Sequence, residues 1–264
     1  MGKDNKTGKF QLAKRTINHG AAYARGLLKG NRFAGDMSWT QPGQPPVILC
    51  HGFLGTRGTM LPMTKRFQAD GRVVFSYHHG TFQMRSLRSS AQGLVDQLER
   101  LQTELGVEQF DVVGFSMGGL VSLHAMKFLQ ASRMVRRLAL LGAPVEGTWA
   151  GLAGAAVIGA VSQSVWQVLP MSPFLRDLRE APMPEGLVVR QIQASEDGLC
   201  PLAQPLQGVD DKHDYVVMPG GHSSLVVTRP FYAKVREFFD REEDYIGQTT
   251  TLRRPNLSAE YAAE

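Results

Sequence analysis

Residues 110–120 read FDVVGFSMGGL, and this stretch decides how the rest of the chain is interpreted. It begins as an apolar run of strand character, continues through the pattern Gly-x-Ser-x-Gly with Ser116 in the middle, and ends in an apolar stretch typical of a helix. A strand, a sharp turn and a helix in this order hold the serine in a strained conformation, and the flanking glycines let neighbouring backbone come close. The stretch therefore predicts that Ser116 is an exposed nucleophile.

Outside this stretch, short apolar runs alternate with segments of helical period. Six runs have the nearly continuous apolar character of strands that are buried on both faces: Val47 to Cys50, Val73 to Tyr77, Phe110 to Phe115, Leu138 to Leu141, Leu187 to Ile192 and Tyr215 to Met218. Helices with an apolar stripe are expected at residues 87–105 and 231–239. Because right-handed crossovers place helices on both faces of such strands, the pattern predicts an α/β protein with a mostly parallel, doubly wound sheet.

Composition places the chain among ordinary globular proteins. Its 264 residues are 43% hydrophobic and 20% charged, which excludes disordered and fibrous classes. The net charge of +5 is concentrated in residues 1–35, which have eight Lys or Arg side chains and one Asp, whereas the remaining residues have 21 basic and 23 acidic ones. Because the chain outside residues 1–35 is nearly neutral, its net charge does not attract the phosphates of nucleic acid, and nucleic acid is not expected as a partner.

We expect a basic N-terminal arm over residues 1–40, a main domain over 41–241 and a polar C-terminal tail over 242–264.

The arm has the spacing of an amphipathic helix, with basic residues between the apolar positions. The apolar residues recur at steps of three or four: Phe10, Ala13, Ile17, Ala21, Ala24 and Leu28. Such a helix either packs on the main domain, contacts an anionic membrane surface, or serves as a targeting peptide, and the sequence leaves these alternatives open. No signal-peptide or myristoylation pattern is recognised, and the two cysteines suit a reducing compartment. A cytoplasmic location is expected, with peripheral membrane contact through the arm as an alternative.

A segment without charged side chains interrupts the alternation of strands and helices. Gly147 to Leu175 contains 29 residues and no charge, which by length alone permits a membrane span. Glycines and glutamines break the apolar run, and the segment connects two strands of one sheet, so a membrane span is disfavoured. We instead expect an apolar cap or lid insertion over about residues 146–182. Trp149 and Trp166 in this insertion, together with Leu54, are predicted to bind the substrate.

A serine hydroxyl is a weak nucleophile and needs a base, and the base needs an acid that fixes its tautomer. His222 is the best candidate for the base, because it lies in the glycine-rich loop that directly follows the last predicted strand. Asp197 is the best candidate for the acid, because it follows the preceding strand at the edge of the sheet where sites of open α/β proteins form. Three other acidic residues remain alternatives for the acid: Glu196, Asp210 and Asp211.

The tetrahedral intermediate of acyl transfer needs two N–H donors for its oxyanion. Met117 begins the helix after Ser116 and is predicted to supply the first. Phe53, in the loop HGFLG that follows the first long strand, is predicted to supply the second. His51 is expected to brace this loop, and Cys50 is expected to be a small buried hydrophobic residue.

Four segments together resemble the α/β-hydrolase superfamily: PVILCHGFLG at residues 46–55, GFSMGG at 114–119, LGAP at 141–144 and GHS at 221–223. Within that superfamily, the chain is similar to small bacterial lipases and esterases over roughly residues 45–240. The resemblance implies the α/β-hydrolase fold and hydrolysis of acyl esters through a serine acyl-enzyme, with no cofactor and no metal. The chain differs from secreted lipases of the family, because neither their export signal nor an acidic cluster matching their calcium site is recognised.

The sequence therefore predicts a serine hydrolase that cleaves carboxylic esters, and the apolar cap favours lipid-like or medium-chain acyl groups. Acyl transfer to another acceptor and thioester hydrolysis use the same side chains and remain alternatives. Catalytically silent binding proteins also occur with this fold, so a binding module is a third hypothesis.

Overall fold

A seven-stranded sheet forms the centre of this computed structural model, which describes residues 18–31, 35–36, 44–78, 86–149 and 162–241. The strands are β1 (Gly35–Asp36), β2 (Val47–Cys50), β3 (Val74–Tyr77), β4 (Phe110–Phe115), β5 (Val135–Leu141), β6 (Val188–Ala194) and β7 (Tyr215–Met218). Their spatial order is β1-β3-β2-β4-β5-β6-β7. β1 pairs antiparallel with β3, whereas β2 to β7 are joined in parallel pairs. The predicted mostly parallel sheet is therefore confirmed.

Helices connect the strands and cover both faces of the sheet. They are α1 (residues 18–28), α2 (Leu61–Ala69), α3 (Leu87–Leu105), α4 (Met117–Phe128), α5 (Gln163–Gln167), α6 (Pro173–Glu180), α7 (Ser224–Val227) and α8 (Arg229–Asp240). Local signals explain the limits of the long helix α3. The Ser86 side chain accepts a hydrogen bond from the Arg88 N–H at its start, and Gly106 adopts a left-handed conformation at its end.

The core is divided by the sheet into two apolar layers. Alternate side chains of a strand point to opposite faces, so Ile48 of β2 packs with α3 and α4 while Leu49 packs with α2 and α8. Every residue of β2 and β4 is buried, as the apolar runs predicted. The two layers hold the carboxyl ends of the strands in a fixed position, and the loops that follow those ends carry the candidate site.

Two short helices, α5 and α6, lie in the region predicted as a cap. The side-chain carbonyl of Gln167 accepts a hydrogen bond of 2.7 Å from the Leu87 N–H, which ties α5 to the start of α3. Several apolar residues on which the cap prediction depends lie outside the described residues: Leu152, Val157, Ile158 and Val161. The tail over residues 242–264 also lies outside them.

The N-terminal helix α1 packs on the main domain, and the side that packs differs from the predicted apolar stripe. Gly26 is buried and Tyr23 is half-buried, whereas Ala21, Ala24 and Leu28 of the predicted stripe are exposed. The Tyr23 ring meets Phe115 edge-on at a centroid distance of 6.0 Å. Phe10, Ala13 and Ile17 of the stripe lie outside the described residues. Across the described ranges, no helix has both the length and the apolar character needed to cross a membrane.

Candidate active site

Ser116 occupies a strained turn between β4 and α4. Its backbone has φ 54° and ψ −126°, a conformation that residues with a Cβ atom rarely adopt and that costs about 1–3 kcal/mol. The Ser116 N–H donates to the Leu141 carbonyl at 2.8 Å, and the Ser116 carbonyl accepts from Gly119 at 2.9 Å. These hydrogen bonds hold the strained turn that the sequence pattern predicted. Ser116 itself is buried, with 9% of its surface exposed, so the prediction that it is exposed was wrong: the loops around the cavity cover it.

The glycines of the motif are needed because backbone segments approach one another closely around Ser116. A Cβ atom on Gly114 would lie 2.6 Å from the Gly119 Cα, and one on Gly118 would lie 2.4 Å from the Cys50 carbonyl oxygen. A Cβ on Gly52 would lie 2.9 Å from the Ser116 Cβ. The loop after β2 therefore lies directly against the serine turn.

His222 and Asp197 form a direct pair beside this turn. His222 Nδ1 lies 2.6 Å from Asp197 Oδ2, and the Asp197 side chain is almost fully buried. The His222 ring also packs against Phe115, with ring centroids 4.7 Å apart. With Nδ1 bonded to a carboxylate, the neutral imidazole has Nε2 available to accept a proton.

The other acidic candidates are placed elsewhere. Glu196 bonds to the Gly220 N–H, and the Glu196 N–H donates to the Gly220 carbonyl at 3.0 Å, so this residue braces the loop that carries His222. Asp210 pairs with His213 at 2.7 Å on the surface, and Asp211 is exposed. Of the four acidic residues considered, Asp197 is the one that the structure brings to His222.

Cys200 was not predicted as a site residue, yet its thiol lies between the serine and the histidine. Its Sγ is 3.8 Å from Ser116 Oγ and within hydrogen-bonding reach of His222. In the part of the chain that the structure describes, the side-chain hydrogen bond of Ser116 goes to Cys200, and none joins Ser116 to His222. Direct contacts between nucleophile and base are often long without substrate, so this geometry is compatible with proton transfer between them.

The loop from Asp197 to Cys200 is closed by the Asp197 carboxylate. Asp197 Oδ1 accepts hydrogen bonds from the Leu199 N–H at 2.9 Å and the Cys200 N–H at 2.8 Å, which brings the thiol back to the site. The position of Cys200 three residues after the predicted acid was the one sequence signal for this contact.

Burial and neighbouring groups act in opposite directions on His222. Burial lowers its pKa, and the hydrogen bonds to Asp197 and Cys200 raise it by more, so the net pKa lies above the ordinary histidine value. The charged imidazolium is therefore stabilised, as is needed in a base that takes up a proton during the reaction.

The loop HGFLG lies against the turn that holds Ser116. Burial lowers the pKa of His51 to about 4, so its ring is neutral near pH 7, and it packs inside the turn, where a Cβ on Gly55 would lie 2.9 Å from its Nδ1. Phe53 and Met117, the predicted oxyanion donors, both line the cavity that contains Ser116. Met117 is the first residue of α4, and the N–H groups of a first helical turn have no partner within the helix.

A cavity of about 570 Å³ opens over Ser116 and His222, and its walls are mainly apolar. Leu54 lines it as predicted, together with Val165 and Val168 from the cap region. Trp149 and Trp166 are not among the lining residues within the described ranges, and 65% and 55% of their surfaces are exposed. Their predicted role in substrate binding stays a prediction.

The opposite wall of the cavity includes Gly20 and Tyr23 of α1. The spacing of this helix predicts an N-terminal arm, with packing on the main domain as one alternative, and does not connect the helix with the site. The contact arises from tertiary packing, which local spacing does not reveal.

Asp197, Cys200 and His222 each offer a possible metal ligand, and these atoms lie within 4.8 Å of one another. His222 Nδ1 and Asp197 Oδ2 are bonded to each other at 2.6 Å, which is shorter than the separation of two ligands that each lie about 2 Å from one tetrahedral zinc ion, so these two atoms cannot both bind one such ion. The contacts that the structure shows within this group are hydrogen bonds, from Asp197 to His222 and to the Cys200 N–H.

Comparisons with known proteins bear on the fold. Residues 45–170 match a family model described as alpha/beta hydrolase fold. The structure is similar to that of the mature Bacillus licheniformis lipase BlEst2, with a TM-score of 0.65 and 15% identity over 78% of this chain and 97% of that chain. It is also similar to Aspergillus fumigatus lipase B, with a TM-score of 0.59 and 14% identity over 75% of this chain and 53% of that one.

A third similar structure is MGS-MChE2, an alpha/beta hydrolase enzyme from a sediment metagenome, with a TM-score of 0.51 and 17% identity over 76% of this chain and 97% of that chain. A comparison with curated proteins found no match. The chain therefore has the α/β-hydrolase fold. At identities of 14–17%, the likeness to these three structures concerns the fold alone.

Proposed function

We propose that the chain is a serine hydrolase that cleaves carboxylic esters with lipid-like or medium-chain acyl groups. The observation that carries the proposal is the hydrogen-bonded pair of His222 and Asp197 beside Ser116, which is held in a strained turn at the floor of an apolar cavity. Each of these groups has a defined role in acyl transfer.

In the proposed reaction, Ser116 Oγ attacks the ester carbonyl while His222 Nε2 accepts the hydroxyl proton. Asp197 keeps the ring in the tautomer that leaves Nε2 free to do so, and it stabilises the imidazolium. The Phe53 and Met117 N–H groups bind the oxyanion of the tetrahedral intermediate. His222 then protonates the leaving alcohol, and water attacks the acyl-enzyme in a second cycle of the same steps.

The substrate class follows from the cavity. Its volume of about 570 Å³ falls in the range of small-molecule sites, and its walls are largely apolar. An acetyl group fills little of this space, whereas a medium-length acyl chain removes more apolar surface from water. We therefore expect a higher kcat/KM on octanoyl than on acetyl p-nitrophenyl esters.

Labelling with a fluorophosphonate probe tests the proposal directly. The folded protein is expected to be labelled, and Ser116→Ala is expected to lose both labelling and ester hydrolysis. Ser122→Ala is the matched control, because Ser122 lies on α4 with its hydroxyl bonded to the Gly118 carbonyl at 2.9 Å. A folded wild-type protein that is not labelled would favour a binding module, and equal kcat/KM values for the two esters would exclude the acyl-chain assignment.

We further propose that α1 contacts an anionic membrane surface with the side that faces solvent. Arg25 and Lys29 are exposed there beside Leu28, of which 87% is exposed. Each basic side chain near an anionic leaflet contributes about 1 kcal/mol. Sedimentation with phosphatidylserine vesicles should decrease at high salt and in the double variant Arg25→Gln, Lys29→Gln, but not in Lys65→Gln, whose side chain lies exposed on α2. Equal sedimentation of the double variant and the wild type would exclude this surface.

A further inference from the structure

The two cysteines of the chain differ in what their thiols contact. Cys50 belongs to β2 and is fully buried in the core. Burial raises the pKa of its thiol to about 12, and a hydrogen bond with Ser122 offsets part of that rise. Cys200 instead lines the cavity that contains Ser116 and His222. A reagent that enters the cavity therefore meets the Cys200 thiol and not the Cys50 thiol.

A potential base lies beside the Cys200 thiol. His222 lies within hydrogen-bonding reach of its Sγ, and Asp197, which bonds to the other side of the His222 ring, also accepts the Cys200 N–H. A thiol beside a histidine that is itself held by a carboxylate can transfer its proton to the ring and attack as a thiolate. Cys200 thus shares its base with Ser116.

A group attached to Cys200 would overlap the space that the proposed reaction uses. Its Sγ lies 3.8 Å from Ser116 Oγ, so an added substituent enters the space that the ester carbonyl must occupy. It also interrupts the approach of His222 to the serine hydroxyl.

We propose that Cys200 is a site of reversible thiol modification, at which exchange with a small disulfide attaches an R–S group to Sγ, between Ser116 and His222, and stops hydrolysis. The effect on hydrolysis rests on the proposed function. In the exchange, His222 accepts the thiol proton and Sγ attacks one sulfur of R–S–S–R. The new Sγ–S bond forms as the S–S bond of the reagent breaks, and the leaving thiolate takes the proton as RSH. The disulfide is the oxidant, and an added thiol reverses the step.

Methyl methanethiosulfonate is a suitable probe, because it transfers a small S-methyl group and releases a sulfinate. We expect peptide mass spectrometry to show one added methylthio group (CH3–S) on Cys200 of the wild-type protein. The rate of ester hydrolysis should fall by about tenfold or more, since small displacements at a reacting centre already lower rates by about a hundredfold. Dithiothreitol is expected to restore both measurements. Cys50→Ala, the matched control, should respond as the wild type does, whereas Cys200→Ala should keep whatever hydrolysis it has before treatment.

Two further measurements separate this proposal from the proposed function. Prior labelling of Ser116 with a fluorophosphonate should protect Cys200 from the reagent, and His222→Ala should slow the modification of Cys200 without changing that of a denatured sample. Ser116 could remain unlabelled while Cys200 is still modified selectively and at a rate that depends on His222. That result would support the reactivity of Cys200 and contradict the assignment as a hydrolase. Full hydrolysis by protein that carries the modified Cys200, or equal inhibition of Cys200→Ala, would overturn the proposal.

Discussion

Asp197 uses its two carboxylate oxygens for different purposes. Oδ2 bonds to His222, and Oδ1 closes its own loop through the Leu199 and Cys200 N–H groups. One residue therefore orients the proposed base and positions the thiol beside it. Its replacement should affect the chemistry far more than that of acidic residues nearby in the sequence.

Asp197→Asn is expected to lower kcat for p-nitrophenyl octanoate by about 10⁴-fold, because an amide at this position favours the wrong histidine tautomer. Asp211→Asn is the control, since Asp211 is exposed and should leave kcat unchanged within error. Melting curves of both variants establish that they are folded. A large decrease of kcat in Asp211→Asn together with a small decrease of kcat in Asp197→Asn would contradict the assignment of Asp197 as the acid.

The raised pKa of His222 predicts how hydrolysis depends on pH. The base must be neutral to accept the serine proton, so kcat/KM should rise with pH and reach half its maximum above the ordinary histidine value of about 6.5. The contact with Cys200 is one of the causes that raise this pKa, so Cys200→Ala should move the midpoint to lower pH.

The measurement is a pH-stat titration of released acid, which avoids the ionisation of nitrophenol. Cys50→Ala should leave the midpoint in place, because Cys50 contacts Ser122 and not His222. A midpoint that moves upward in Cys200→Ala would contradict the prediction.

At this scale, the residues that follow strand ends were predictable and Cys200 was not. Ser116 is specified by its motif, and Asp197 and His222 are specified by their positions after β6 and β7, where the parallel sheet collects its loops. Cys200 reaches the site only because the Asp197 carboxylate folds the loop back. The spacing of three residues between Asp197 and Cys200 is the one sequence signal for that contact, and it does not by itself predict the fold of the loop.

Among the elements, α1 has the least expected role. It reaches the wall of the cavity through an unusually close approach between Gly26 and Gly58. A Cβ atom on Gly58 would lie 2.2 Å from the Gly26 carbonyl oxygen, and one on Gly26 would lie 2.5 Å from the Gly58 oxygen. The Gly58 N–H also donates to the Gly30 carbonyl at 3.0 Å. The position of Gly20 and Tyr23 in the cavity wall therefore depends on this glycine contact.

Gly58→Ala is expected to displace α1, because the added methyl group overlaps backbone atoms that cannot rotate away. Overpacking of this kind costs about 1–3 kcal/mol, so the melting temperature should fall. The ratio of kcat/KM for octanoyl and acetyl esters should also change, since the cavity wall moves. Gly20→Ala adds the same methyl group where nothing lies within 4 Å, and it should not lower the melting temperature, since Ala is the better helix former. A Gly58→Ala protein with unaltered stability and ester preference would show that α1 does not shape the cavity.

Strand limits were predicted well where side chains are apolar and poorly where they are polar but buried. β6 continues past the predicted end at Ile192, because the buried Gln193 side chain bonds to both the N–H and the carbonyl of Ala203. β5 begins before Leu138, because the guanidinium groups of Arg136 and Arg137 both reach the Phe239 carbonyl. A buried polar side chain whose hydrogen-bond partner lies far away in the sequence interrupts the apolar run, so a prediction from hydrophobicity ends the strand too early.

For the whole molecule, a buried ionic cluster joins the sheet to the last helix. The Asp111 side chain is fully buried and bonds to Arg72 at 2.6 Å and Arg136 at 2.8 Å. Arg136 also donates to the Phe239 carbonyl of α8 at 2.8 Å. One carboxylate thus balances two cations that connect β4, β5, α8 and the loop before β3. The alternation of apolar runs with segments of helical period predicted the sheet. It did not reveal this cluster, because the residues of the cluster lie far apart along the chain.

Asp111→Ala is expected to lower the free energy of unfolding by about 3–5 kcal/mol, since it leaves two arginines without their buried counter-charge. Asp177→Ala removes the partner of Arg88 in a half-exposed pair of 3.1 Å and should change stability by about 0–1 kcal/mol. Urea denaturation of both variants provides the comparison. Similar losses in the two would show that the cluster around Asp111 does not stabilise the fold beyond a surface pair.

The order of the proposed catalytic residues along the chain has a consequence for biosynthesis. Ser116 and the loop of Phe53 belong to the half of the protein that a ribosome makes first, whereas Asp197 and His222 belong to the last third. A nascent chain that has completed β4 and α4 holds the nucleophile without its base. The proposed hydrolysis therefore requires that β7 and the loop behind it have been synthesised and have joined the sheet, so an incomplete nascent chain is expected to be inactive.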